Sequence, residues 1–153
     1  MRISMWDLDA IRRMNGRKLW YLAHPVSGDE AGNLKRAVTW LRWLIEHDPT
    51  RVYIAPWVAE VQASLDTPGD PVPYERGMMD DKEVLDRCDG IVLTGPAPSP
   101  GMLQELAWAA TAGKQAIDLT GFTHPAQFEE YVRGLPGSFA SGWTQYLNAQ
   151  VTT

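Results

Sequence analysis

Apolar residues in this chain follow two alternating rhythms from about residue 19 onward. Short, largely apolar runs at 19–23, 51–55, 90–94 and 115–119 fit strands buried on both faces of a sheet. Between them, apolar positions recur at helical spacing. Leu34, Ala37, Val38, Leu41, Leu44 and Ile45 mark one helix that ends at Asp48-Pro49. Residues 57–65 have room for one or two helical turns, and Met78, Val84 and Leu85 mark a helix within 74–87. Leu103, Leu106, Ala107 and Ala110 form the apolar stripe of a further helix, and Phe128, Tyr131, Val132 and Leu135 face inward from a last one at 126–135. Residues 27–33 read as a polar loop, and 67–73 (TPGDPVP) hold too much Pro and Gly for regular structure. Lying past a strand end, that second loop is placed to act as a substrate lid.

Strands alternating with helices predict an α/β fold, a flavodoxin- or Rossmann-like three-layer sandwich with a parallel sheet of about four to five strands. The pattern divides into an N-terminal extension with weak helical spacing (1–17), one α/β domain (18–135) and a C-terminal tail (136–153) that packs against it.

The stretch 88–114, CDGIVLTGPAPSPGMLQELAWAATAGK, organises the rest. Its strand leads into a loop and then a helix for which Ser99 is a favoured N-cap, Pro100 suits the first position and Gly113 supplies a left-handed stop. In such a unit ligands bind at the carboxyl end of the strand, by the free N–H groups of the helix. Glu105 lies about one and a half turns into the helix. Near a positive helix end it is expected to stay ionised, either facing the crevice with Ser99 and Gly101 or solvated on the helix surface.

Composition narrows the chemistry. The 153 residues, 44% of them hydrophobic, suit one domain with a sizeable core. A net charge of −5 argues against a nucleic-acid polymer as partner and favours small molecules. A single cysteine, Cys88, leaves no disulfide framework, no apolar run approaches membrane length, and residues 1–18 have no signal-peptide h-region, so a cytoplasmic protein without membrane contact is expected. Seven tryptophans point to a densely packed core or to an oligomer interface. There is no GxGxxG, GxxxxGK[ST] or GxSxG pattern, and His24, His47 and His124 lack ligand spacing, so neither cofactor nor metal is expected. His24 is placed to line a site because it ends the first strand. Carboxylate chemistry remains.

Taken together, Tyr21-Leu22-Ala23-His24-Pro25 at the end of the first strand, Asp81, Asp89-Gly-Ile-Val-Leu, and Ser99-Pro-Gly-Met-Leu-Gln-Glu105-Leu-Ala-Trp-Ala resemble the nucleoside 2-deoxyribosyltransferase superfamily over residues 19–119. The resemblance implies cleavage or transfer at the N-glycosidic bond of a (deoxy)nucleoside or its 5′-monophosphate. It implies that Glu105 attacks C1′ to give a glycosyl-enzyme intermediate, that Tyr21 orients Glu105, and that Asp81, or the adjacent Asp80, assists departure of the base. Two carboxylates in different environments suit this chemistry, with burial keeping Asp81 protonated while Glu105 stays charged. Ser99 resembles the serine of the 2′-deoxynucleoside 5′-phosphate N-hydrolase-like branch, which favours a monophosphate; its other reading is a helix cap. Arg36 and Lys35 add charge to such a site or form a solvated helix face. Asp89 matches an acidic position of the family, with a substrate-binding or a backbone-linking role, and Trp57 either stacks on a base or packs in the core. Relatives complete the site from a neighbouring subunit's C-terminal region, for which Trp143, Tyr146 and Asn148 are candidates, so a homodimer or larger homo-oligomer is implied. Two other readings stay open: a phosphoribohydrolase of the cytokinin-activating kind, whose Gly-Thr-x-x-Glu signature is similar to Gly101-x-x-x-Glu105, and a catalytically silent nucleotide-binding or sensing module.

Overall fold

Four short strands pair in parallel: β1 (Lys18–Ala23), β2 (Arg51–Ile54), β3 (Gly90–Leu93) and β4 (Gln115–Asp118). A fifth, β5 (Val151–Thr152), joins β4 antiparallel and gives the order β2-β1-β3-β4-β5. The structure, a computed structural model, describes residues 8–137 and 142–152. Every position of β3 is buried, as an uninterrupted Gly-Ile-Val-Leu run requires of a central strand covered on both faces. The fold class is the expected one, a mixed α/β sheet flanked by helices.

The helices are α1 (Leu8–Arg13), α2 (Glu30–His47), α3 (Pro56–Asp66), α4 (Tyr74–Leu85), α5 (Pro100–Thr111), α6 (Pro125–Arg133) and α7 (Trp143–Ala149). Their order follows the expectation, while several boundaries and faces do not. α2 starts inside the stretch expected to be a polar loop, because the Asp29 side chain accepts from the Gly32 amide at 3.2 Å and caps a turn already under way. Its buried face is Leu34, Ala37, Trp40, Trp43 and Leu44, leaving Val38 and Ile45 exposed; counting aliphatic residues alone overlooked the larger area of the two indoles. α3 is a full 11-residue helix, started by Pro56 at its first position. Tyr131 of α6 is exposed, while Phe128 and Val132 turn inward. α1 buries none of its residues, and the start of the expected N-terminal extension, residues 1–7, lies outside the described residues.

The largest difference concerns α5. The expected stripe of Leu103, Leu106, Ala107 and Ala110 is not its buried face; Met102, Glu105 and Ala109 are, and Leu103 is 54% exposed. A carboxylate therefore occupies a core-facing position of an otherwise apolar helix.

From β1 the chain passes to β2 on one side, then crosses back to β3 on the other. Right-handed crossovers in opposite directions put α2 on one face and α4 and α5 on the other. They also open a crevice beyond the carboxyl ends of β1 and β3, where strand order reverses. The C-terminal segment closes the far side. α7 lays Trp143 against Trp43 (ring centroids 4.9 Å apart) and Phe128 (5.5 Å), and Thr144 donates a 3.0 Å hydrogen bond to the buried Asp48 carboxylate.

Candidate active site

A cavity of about 580 Å³ lies at that crevice. Three helices build its wall, each with a regular face. Trp57, Glu60, Val61 and Ser64 of α3 stand at i, i+3, i+4 and i+7, as do Tyr74, Gly77, Met78 and Asp81 of α4. α5 contributes Gly101, Met102 and Glu105 from its first two turns. The loop after β1 adds His24, Val26 and Ser27, and the Pro71-Val72-Pro73 segment of the expected lid closes one rim.

Glu105 and Asp81 are 6% and 8% exposed, and both line the cavity. Asp80 does not line it: its carboxylate is held by Arg76 at 2.9 and 3.0 Å. Tyr21, fully buried on β1, sits behind the two acids and interacts with both. Burial, with the charges of Glu105 and Asp81, drives its phenol far above the ordinary tyrosine range, so it stays protonated and acts as a donor. Phenol and carboxylates are close enough to perturb one another's titration, yet no hydrogen bond of normal geometry forms between them. The Tyr21 hydroxyl, Asp81 Oδ1 and Glu105 Oε2 are all buried without a partner among the described residues. Two of these oxygens belong to side chains that line the cavity and the third lies buried beside them, a costly arrangement for a fold to keep without use.

The titration of the two acids corrects one expectation. Glu105 does not stay in the ordinary carboxylate range: burial lifts it to about 7, against the pull of the Tyr21 phenol and with a further push from Asp81. It lies in the second turn of α5, past the reach of the helix dipole. Asp81 is also lifted to about 7, by burial first and then by the charges of Glu60 and Asp80, with Tyr21 opposing. The two titrate as a coupled pair. Each therefore holds or releases its proton close to neutral pH, and the charge of Asp81 favours the protonated form of Glu105.

The remaining expected residues separate by place. His24 is 4% exposed; its Nδ1–H donates to the Pro25 carbonyl at 2.7 Å, and burial holds the ring neutral, leaving Nε2 an unpartnered acceptor. Trp57 both packs and lines the cavity: its Nε1–H donates to the Leu22 carbonyl at 2.9 Å, so it presents a ring and no donor. Ser99 lines the cavity and caps α5, its Oγ accepting from the Met102 amide at 3.3 Å. Gly101 lines the cavity, and a Cβ there would stand 3.2 Å from the hydroxyl of the exposed Tyr74 side chain, which would have to shift by a few tenths of an ångström. Asp89 is not brought to the cavity; its carboxylate accepts from the Leu19 amide at 2.8 Å and ties β3 to β1 at the opposite strand ends. Asn148 accepts from Arg51, and Trp143 and Tyr146 join the aromatic cluster around Phe128, so within one chain none of the three lines the cavity. Glu60 and Tyr74 were missed. The i, i+3 spacing from Trp57 would have found Glu60 had α3 been read at its full length.

Comparison with known proteins adds little to this geometry. No curated protein matches the chain. Among solved structures, a 2-desoxiribosyltransferase from Leishmania mexicana is 20% identical, with 79% of this chain and 76% of that chain covered and a TM-score of 0.45. No helix among the described residues is long and apolar enough to cross a membrane. A family model described as "Domain of unknown function (DUF7768)" matches residues 18–118, from the first residue of β1 to the last of β4, and the chain therefore belongs to that family.

Proposed function

We propose that this protein cleaves or transfers the N-glycosidic bond of a (deoxy)nucleoside or its 5′-monophosphate through a covalent Glu105 intermediate. One observation carries the proposal: two buried carboxylates with unsatisfied oxygens line a nucleoside-sized cavity, with a buried tyrosine hydroxyl interacting with both. Breaking a C1′–N bond develops positive charge on the sugar, which an adjacent carboxylate stabilises and then traps. Glu105, in its ionised form, is the nucleophile. Asp81, raised to about 7 by burial and so able to hold a proton near neutral pH, gives it to the departing base as that base takes the bonding electrons. Ionised by that transfer, Asp81 accepts a proton from the water or second base that displaces Glu105 from C1′. Tyr21 donates toward Glu105 and fixes its rotamer, a positioning role. Trp57 and Met78 supply flat and deformable walls for the base.

The test is release of free base from a panel of nucleosides and 5′-monophosphates, comparing wild type with Glu105→Ala. The variant is expected to lose roughly three decades in kcat, as for removal of a covalent nucleophile. Nucleotide binding without base release, unchanged in Glu105→Gln, would instead identify a silent binding module.

A further inference from the structure

The cavity holds a charge imbalance that glycosidic cleavage does not require. Glu30, Glu60, Asp81 and Glu105 all line it, and among the described residues no lysine or arginine does. Arg36, whose charge reaches His24 from α2, is already paired with Asp29 at 3.1 Å and Asn33 at 2.9 Å. Two of the four carboxylates are more than nine-tenths buried and carry oxygens without a partner. Carboxylates so buried are ordinarily paired with a cation or bound to a metal. Here the chain supplies neither, since among the described residues no three His, Cys, Asp or Glu side chains are grouped to hold a metal ion. The rest of the wall, Trp57, Tyr74, Met78 and Met102, offers aromatic and thioether surfaces. Such surfaces suit a flat cation with delocalised charge rather than a small hydrated one.

We propose that the substrate supplies the missing positive partner: a nucleoside whose base is itself a cation, such as an N7-alkylated purine or an N-linked pyridinium, without a 5′-phosphate. The chemistry rests on the glycosidase reading of Glu105; the ligand class rests on the charge of the cavity. A cationic base leaves as a neutral molecule. Glu105 forms the new C1′–O bond while the C1′–N electron pair moves onto the base nitrogen and cancels its charge, so no proton is consumed in this step. Water then attacks C1′, the ester oxygen returns to Glu105 as a carboxylate, and the proton of the water passes to Asp81. A 5′-phosphate would bring about two negative charges into a hollow that already holds four carboxylates.

The test pairs N7-methylguanosine with guanosine, in ribo and 2′-deoxy forms and with and without 5′-phosphate. It measures kcat/KM for base release, corrected for uncatalysed hydrolysis, in wild type and in Glu60→Gln. The methylated base is the better leaving group in both proteins, so the change in the cation-to-neutral ratio on removing the Glu60 charge isolates the field of the cavity. That ratio is expected to fall about fivefold or more in Glu60→Gln, and 5′-phosphorylation is expected to lower kcat/KM at least about tenfold in wild type. Calorimetry of wild type at pH 7 in buffers of differing ionisation heat should show proton release on binding N7-methylguanosine, as the cation returns both acids to their ionised forms, and none with guanosine. An unchanged ratio, or phosphorylated substrates cleaved as fast as unphosphorylated ones, overturns the charge proposal and leaves the glycosidase reading standing. Binding of the cation with proton release, but no base release from any substrate, upholds the cation site and overturns the glycosidase chemistry.

Discussion

The proposed chemistry rests on two buried acids that titrate together and whose environments differ. Raised carboxylates carry a stability cost with a definite sign. Asp81 and Glu105, both near 7 in the fold, hold protons that the unfolded chain releases near the ordinary carboxylate value of about 4. The contribution of these two acids to native stability is thus fullest below about pH 4, falls as pH rises from there through about 7, and is level above. Replacing Glu105 with Gln removes one such penalty. Thermal melts should show that variant more stable than wild type at pH 8 by on the order of 2 kcal/mol, a gain that vanishes below pH 4. With a neutral base as leaving group the proposed reaction has its own signature, because it needs Glu105 ionised and Asp81 protonated. Removing the Tyr21 phenol as Tyr21→Phe raises the Glu105 pKa, so the acid limb of the kcat/KM profile should move to higher pH, with rate lost at every pH. Replacing Glu60 with Gln lowers the Asp81 pKa, and the alkaline limb should move to lower pH. Limbs that stay in place in both variants would show that these neighbours do not govern the pair.

At the level of elements, α5 separates what could be read from what could not. Its start at Ser99-Pro100 and its end at Gly113 (φ 70°) were legible, because capping chemistry is local. Its orientation was not, because an apolar stripe containing Leu103 outscores one containing Glu105 on any count of hydrophobic positions. Position in the helix left the acid two readings, crevice-facing or solvated, and only the resemblance of its motif gave it a chemical role. α3 and α4 show a related limit: their cavity faces mix Trp, Glu, Val, Ser and Asp at i, i+3, i+4 and i+7, a spacing visible only once polar residues are counted as inward. Ser99 serves the helix whatever else it does. Ser99→Ala should cost about 1 kcal/mol in denaturant unfolding, and a separate rise in KM would report a contact with substrate.

Across the whole molecule, the four parallel strands followed from the alternation of runs and periodic segments, because each βα unit is a nearly local decision, while their order in the sheet did not. The closure by the C-terminal segment was not legible, since it depends on partners remote in sequence. Asp48, which in sequence only ends α2, is fully buried. Burial alone would raise its pKa, but hydrogen bonds from Thr50, Tyr53 (2.6 Å) and Arg51 (2.8 Å) outweigh this and hold it below its ordinary value. With Thr144 on α7 it joins the end of α2, β2 and the C-terminal segment at one carboxylate. Asp48→Ala strands the Arg51 charge and should destabilise the fold by about 3–5 kcal/mol in chemical denaturation. β3, paired with β1 and packed against α5, sets the relation between Tyr21 and Glu105 on which the proposed site depends. The most direct measurement is therefore acid quenching during turnover of a cleaved nucleoside, followed by mass analysis of the digested protein. The account predicts one glycosyl group attached to the peptide that carries Glu105, formed together with one equivalent of free base and absent from Glu105→Ala. Base released with no adduct on that peptide, or an adduct on another residue, would contradict it.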